Sequence, residues 1–267
     1  MATNVSVTKE ELKQIKTLLV KKGRREKGLF SAEGVRLLEE AARHRFWPTK
    51  VYYAPFLLSA RGQKLLHRFQ MRQIPAANVP AANFRSVCDS KSPQGILGVF
   101  TVPSCSLSEL YRPRHRRLLM CEDVSDPGNL GTLARSALAF DFNLLLLVGS
   151  CADPFSPKVV RSSAGAVFAL GIARLTVPEM QAFIRKERIR LLAADVKGQP
   201  SANVIKNRFK SRRTMLAVGG EARGLTPSLL AAADARVRIV HGKLVESLNV
   251  AIAASIIMKQ IFDLNQG

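Results

Sequence analysis

Three short stretches carry residue types that can hold and activate a ligand. The first is Glu122-Asp123-Val124-Ser125-Asp126-Pro127-Gly128-Asn129-Leu130-Gly131, which opens a helical pattern bearing Arg135. The second is Gly219-Gly220-Glu221-Ala222-Arg223-Gly224-Leu225. The third, Glu246-Ser247-Leu248-Asn249, opens a long apolar helix from Val250. Glycines let a main chain approach a ligand closely and take positive φ. Unpaired amides at a helix start, together with the helix dipole, suit a charged ligand. Arg135 lies four residues past Gly131, so the two share a helix face opposite the apolar stripe of Leu130, Leu133, Ala134, Ala137 and Leu138. Taken singly, each stretch has a plain structural reading. Ser247 and Asn249 suit helix caps, Arg135 suits a surface ion pair, and glycine-rich turns are common after strands. Neither the dinucleotide-binding glycine pattern nor a P-loop occurs.

Each stretch follows a strand pattern, over 118–122, 214–218 and 237–240. The unbroken leucine run Leu144–Val148 reads as a fully buried strand. Further strands are expected over 171–175 and 190–194, and helices over 129–140, 157–167, 179–187 and 227–233. This alternation predicts a mostly parallel α/β sheet, which binds ligands at the carboxyl ends of its strands. Upstream, helices over 8–22, 35–43 and 57–69 alternate with strands over 51–54 and 96–101, giving a smaller α/β module. Thr8 and Glu11 make a capping-box pattern. The basic run Lys21–Lys27 reads as an exposed loop suited to phosphate contact. Apolar residues on every side of the last helix (Ile252, Ile256, Ile257, Ile261, Phe262) predict that it is buried. The expected boundaries are a module over 1–102, a linker over 103–115 and a second domain over 116–267.

The 267 residues carry 41 Lys and Arg against 20 Asp and Glu, a formal net charge of +21. Such an excess is the electrostatic footprint of a nucleic-acid binder, because neutralising phosphates releases counterions. Four dispersed cysteines, Cys88, Cys105, Cys121 and Cys151, show neither zinc-ligand spacing nor a disulfide framework. They fit a reducing compartment. The amino-terminal stretch lacks the apolar core of a secretory signal, and no apolar run is long enough to span a bilayer. The expectation is a soluble cytoplasmic protein, with no membrane partner and no metal.

Together the three stretches resemble the motifs of the SpoU/TrmH family of S-adenosylmethionine-dependent RNA ribose 2′-O-methyltransferases, within the SPOUT superfamily. The first motif matches Asp126-Pro127-Gly128-Asn129-Leu130-Gly131 through Arg135-Ser136-Ala137, the second Gly219-Gly220-Glu221 to Gly224-Leu225, and the third Ile239, Gly242 and Ser247-Leu248-Asn249-Val250-Ala251. The stretches FSAEGVRLLEEA and KSPQGILGVF look like the ribosomal-protein-like RNA-binding domain of rRNA-modifying members. The resemblance implies an α/β fold whose C-terminal parallel-sheet domain is tied in a trefoil knot, preceded by the smaller RNA-binding domain. It implies S-adenosylmethionine as cofactor, held near Val218, Gly219, Gly224, Ile239 and Leu248. It implies a homodimer acting on RNA, with Arg135, Asn129, Glu221, Ser247 and Asn249 as the catalytic set. Arg135 of one subunit is expected to reach toward the cofactor of the other. Family members carry Pro-Met after the third-motif isoleucine, and this chain has Val240-His241. The N-terminal module favours ribosomal RNA as substrate. A tRNA enzyme and a non-catalytic RNA-binding or ribosome-assembly protein are the alternatives.

Overall fold

Short β-branched and leucine-rich runs pair into two separate sheets in the computed structural model, which describes residues 5–112, 117–209, 213–242 and 244–264. Each sheet belongs to its own unit. One unit comprises Met1–Ser104 and Asp153–Ala169, the other Cys105–Ala152 and Leu170–Gly267.

The first unit holds β1 (Val5–Ser6), β2 (Leu29–Glu33), β3 (Lys50–Tyr53), β4 (Ala76–Asn78) and β5 (Ile96–Thr101), in the spatial order β1-β4-β3-β5-β2. β1, β4 and β3 run parallel, and β5 is antiparallel to both β3 and β2. Helices α1 (Lys9–Thr17), α2 (Lys21–Lys27), α3 (Val35–Arg43), α4 (Ala60–Met71) and α5 (Ala81–Ser86) complete it. Ile15, Leu18, Tyr52, Phe84 and Leu97 meet in its core. The Thr8–Glu11 capping box forms as expected at the start of α1. β2 and β4 were not expected, because their Ser, Glu and Asn content weakens the strand pattern.

The basic run departs most from expectation. Lys21–Lys27 is a helix, not a loop, and its central Arg24 is buried. The Arg24 guanidinium donates to Asp153 Oδ2 through Nε at 2.8 Å and to the Leu18 carbonyl through Nη1 at 2.7 Å. Arg24 therefore faces a carboxylate inside the fold, while Lys21, Lys22, Arg25 and Lys27 are exposed. Removing one partner of a buried pair leaves the other charge uncompensated. Asp153→Ala is expected to cost about 3 kcal/mol in urea unfolding. A loss below about 1 kcal/mol, the range of exposed pairs, would contradict that burial.

The second unit contains β6 (Arg117–Glu122), β7 (Leu144–Val148), β8 (Gly171–Leu175), β9 (Arg190–Pro200), β10 (Thr214–Gly219) and β11 (Ala235–Arg238). Their order is β11-β9-β10-β6-β7-β8, and every neighbouring pair is parallel. In chain order, α6 (Leu107–Leu110), α7 (Pro127–Ala139), α8 (Pro157–Ser162), α9 (Val177–Glu187), α10 (Ser201–Arg208), α11 (Pro227–Ala232) and α12 (Val250–Asp263) follow α5. All five residues of β7 are buried, as the leucine run predicts. β9 extends six residues past the expected end at 194, through Asp195, Lys197 and Gly198, which are poor strand formers. An ion pair between Arg236 and Asp195 ties this extension to β11. α10 was not expected.

Within the stretch expected as linker, α6 begins with a Ser106–Glu109 capping box. Tyr111 then buries its ring edge-on against Phe183, with centroids 5.1 Å apart. Residues 113–116 lie outside the described residues. α8 belongs to the first unit, where Phe155 and Phe168 pack on Phe30, Phe46 and Phe100. α12 corrects a further expectation. It is buried on one side only, with Ile252 53% and Ile256 37% exposed. Among the described residues, no helix is long and apolar enough to cross a membrane.

Candidate active site

Strand order reverses at β6. The chain moves outward through β7 and β8 on one side, then returns to build β10, β9 and β11 on the other. In a parallel sheet such a reversal leaves a crevice at the carboxyl ends of the two flanking strands, because their outgoing loops diverge. The loop after β6 and the loop after β10 do border one cleft of about 400 Å³, lined by Asp123, Val124, Ser125, Asp126, Asn129 and residues 220–224, with Ser150 and Val250 at its edge.

Three polar side chains from three separate loops meet there. Asn129 Nδ2 donates to Glu221 Oε1 at 2.7 Å. Asn249 Nδ2 donates to Asn129 Oδ1 at 2.9 Å and to Glu221 Oε1 at 3.0 Å. Each residue is positioned by local chemistry. Asp126 caps α7 by accepting from the Asn129 amide at 2.8 Å. Asn249 caps α12, its Oδ1 accepting from the Ala251 amide at 2.9 Å. The capping reading of Asn249 holds, and the same side chain also joins the cluster: the oxygen caps and the amide group reaches Asn129 and Glu221.

The β10 loop is held in a tight turn. Gly220 N donates to the Glu122 carbonyl and Gly224 N to the Gly220 carbonyl, both at 2.8 Å. The buried Glu122 carboxylate accepts from the Thr226 amide at 2.7 Å and from its hydroxyl at 3.0 Å. A Cβ on Gly219 would lie 2.0 Å from the Gly224 carbonyl carbon, so only glycine permits this closure. The sequence puts Glu122 at the end of a strand pattern in the first polar stretch, but nothing in it singles out Thr226 as its partner.

The other expected residues lie elsewhere. Val218 is buried within β10, and Gly219 sits directly beneath the turn. Gly224 lines the cleft with φ +63°. Ile239 and Leu248 are half-buried and Ser247 is exposed, and none of these three lines the cleft. His241 is exposed, its Nδ1 donating to the Gly242 carbonyl at 2.9 Å. Gly131 is buried with the apolar stripe, so it does not share the exposed face of Arg135. Arg135 is exposed and, among the described residues, has no ion-pair partner. It stands six residues beyond Asn129, about 9 Å along the helix axis and roughly 120° around it, so it turns away from its own chain's cluster. Burial pushes the Cys121 thiol well above its ordinary value and raises Cys151 too, which leaves both protonated and poor nucleophiles at neutral pH.

Asn249 offers a clean separation of cap from cluster. Asn249→Ala removes both and is expected to cost about 1 kcal/mol of stability. Asn249→Asp keeps the cap but sets a second carboxylate against Glu221, where like charges repel. Urea unfolding is expected to show a loss for Ala but not for Asp, with ligand turnover lowered in both. Full turnover in the Asp variant would mean that the cluster has no part in the chemistry.

Fold and cleft together define an α/β enzyme domain with its ligand at a reversal of strand order. Comparison with known proteins identifies which one. Residues 116–259 match the SpoU rRNA Methylase family, and residues 9–98 match the MRM3-like substrate binding domain. An uncharacterized tRNA/rRNA methyltransferase of Synechocystis is 30% identical, over 97% of this chain and 92% of the relative. A 23S rRNA guanosine 2′-O-methyltransferase of Bacillus subtilis is 27% identical, over 95% of this chain and 96% of the relative. The crystal structure of an AdoMet-bound rRNA methyltransferase from Sinorhizobium meliloti superimposes with a TM-score of 0.82 at 29% identity, covering 96% of this chain and 95% of that one. The chain belongs to the SpoU rRNA methylase family and is an S-adenosylmethionine-dependent RNA methyltransferase.

Proposed function

We propose that the chain, as a homodimer, transfers a methyl group from S-adenosylmethionine to a ribose 2′-hydroxyl of ribosomal RNA. The observation that carries this reading is the Asn129–Glu221–Asn249 cluster, drawn from three distant stretches to one cleft. The relative from Bacillus subtilis is named for 23S rRNA, and residues 9–98 match a substrate-binding module. A cytoplasmic location goes with the bacterial relatives and is part of this proposal.

The residues present fit this cofactor. In the turn that follows β10, a Cβ on Gly219 or Gly220 would meet main-chain atoms within 2.4 Å, so bare backbone borders the cleft there. Asp123, Asp126 and Glu221 border the cleft, three carboxylates on a chain of net charge +21, and a cationic sulfonium suits such a field. Gly220 and Gly224, which line the cleft, would hold it, with Gly219 closing the turn beneath them. When bound, S-adenosylmethionine supplies an electrophilic methyl; the O–CH₃ bond forms as the S–CH₃ bond breaks, and the hydroxyl proton leaves to solvent.

Arg135 stabilises the developing alkoxide or pins the adjoining phosphate. A guanidinium does not act as the base, because it stays protonated in proteins. Asn129, Glu221 and Asn249 orient the sugar. Because Arg135 turns away from its own cleft, it serves the site of the second subunit. The exposed Ile252 and Ile256, one turn apart on α12, give the apolar surface for that pairing. We further propose the trefoil threading for the segment that runs from β11, beyond β9, back to α12 against α7 and β10.

Titration calorimetry with S-adenosylmethionine tests the reading. Binding at one cofactor per chain is expected. No heat of binding would favour a non-catalytic RNA-binding protein instead.

A further inference from the structure

Carboxylates are distributed unevenly along the chain. Between Glu40 and Asp89 there are eight Lys and Arg residues and no Asp or Glu. The centre of this segment is α4, whose buried side carries Leu65, Leu66 and Phe69. Its solvent side carries Lys64, Arg68 and Arg72, all exposed. These follow one another at intervals of four residues, so they form a single row with steps of about 6 Å. Among the described residues, none of the three has an ion-pair partner. Like charges at this spacing oppose helix formation. The helix dipole accounts for a cation in the last turn, but not for Lys64, two turns earlier.

The chain's single tryptophan completes the row. Trp47 is half-buried and packs edge-on against Phe69, with centroids 6.4 Å apart. The Arg72 guanidinium lies over its ring at 4.0 Å and that of Arg68 at 5.8 Å. Cation–π attraction to the ring holds the two guanidiniums near it and leaves N–H groups free to bond outward. A row of preset, unpaired cations is what a chain of phosphates selects, and a fork of N–H donors matches phosphate oxygens in pairs.

We propose that the Lys64–Arg68–Arg72 face of α4, with Trp47 as its backing, binds the phosphate backbone of the RNA substrate. This rests on RNA being the substrate and adds where, outside the methyl-transfer cleft, that RNA is held. The face sets affinity and register, and carries no sequence preference of its own.

The test is a combined Lys64→Gln, Arg68→Gln, Arg72→Gln variant of the full chain, titrated with protein-free 23S rRNA across a series of KCl concentrations. Glutamine keeps the helix propensity and removes the charge. Affinity is expected to fall at least tenfold near physiological salt. The slope of log affinity against log salt is expected to shrink by about 2 to 3, at roughly 0.7 to 0.9 for each phosphate that the protein no longer neutralises. S-adenosylmethionine binding should stay within twofold of the parent, which also reports that the variant is folded. Lys64→Gln alone removes one cation that stacks on nothing, and should lower the slope by about 1. A matched control, Arg185→Gln, Lys186→Gln, Arg188→Gln at the end of α9, should leave affinity within twofold. Unchanged affinity and slope in the α4 variants would overturn the proposal, as would an equal loss in the control, which would reduce it to net charge. Tighter binding to anionic phospholipid vesicles than to RNA, abolished in the same variant, would overturn it in favour of a membrane surface. A parent protein that binds S-adenosylmethionine but not rRNA would overturn the substrate reading itself.

Discussion

Replacing Arg135 with alanine is expected to lower the rate of methyl transfer by about 10² to 10³, the usual consequence of deleting one donor aimed at developing negative charge. S-adenosylmethionine binding should persist, because the β10 turn proposed to hold the cofactor does not involve this side chain. RNA affinity should change by little more than the worth of one phosphate interaction. Arg135→Lys keeps the charge but loses the planar fork, and should remain well below the parent. Near-normal turnover in Arg135→Lys with unchanged RNA affinity would remove the guanidinium from the mechanism. The residue's position makes a sharper statement. By helix geometry Arg135 turns away from the cluster that its own α7 begins, and the proposed homodimer would let it act in the partner's site. Mixing Arg135→Ala chains with Gly219→Ala chains should then restore activity, since each mixed dimer carries one site with an intact turn and an intact arginine. Random pairing of equal amounts gives roughly a quarter of the parental sites. Mixtures that stay inactive would place Arg135 in its own chain's site.

Gly219→Ala should nearly abolish cofactor binding by itself. The added Cβ would meet the Gly224 carbonyl carbon at 2.0 Å and the Leu225 amide nitrogen at 2.3 Å, both main-chain atoms that cannot rotate aside. The turn must open, against the hydrogen bonds from Gly220, Gly224 and Thr226 that close it. Overpacking of this kind costs about 1 to 3 kcal/mol. If that strain falls on the binding-competent turn, affinity drops by roughly tenfold to a hundredfold. Calorimetry would read the loss directly, and the thermal midpoint would report what share falls on folding. Binding within twofold of the parent would show that this turn does not grip the cofactor.

The reach of sequence reasoning differs between site and scaffold for a physical reason. The cleft's polar set was legible only through the three motifs taken together, since each alone reads as a cap, a surface residue or a turn. A parallel sheet gathers such loops at one edge. The role of Glu122 in closing the β10 turn was not legible, because its partner, Thr226, is 104 residues away. The same holds for Arg24. Nothing near it in the chain distinguishes it from Lys22 or Arg25, and only Asp153, 129 residues on, turns it inward. The grouping of 153–169 with the first unit follows from phenylalanines that pack across long sequence separations. Periodicity along α12 indicated apolar residues all round, but not that one face would lack a cover within its own chain.

The most direct measurement is the fate of the methyl group. Purified protein would be incubated with protein-free 23S rRNA and S-adenosylmethionine labelled in the methyl, and the RNA then digested with alkali. Alkaline cleavage needs a free 2′-hydroxyl as its internal nucleophile, so methylation there protects the adjoining phosphodiester. Label in an alkali-resistant dinucleotide, absent with Arg135→Ala, is the predicted result. Label released in mononucleotides would mean that a base is methylated, and would contradict the ribose chemistry assigned to this cleft.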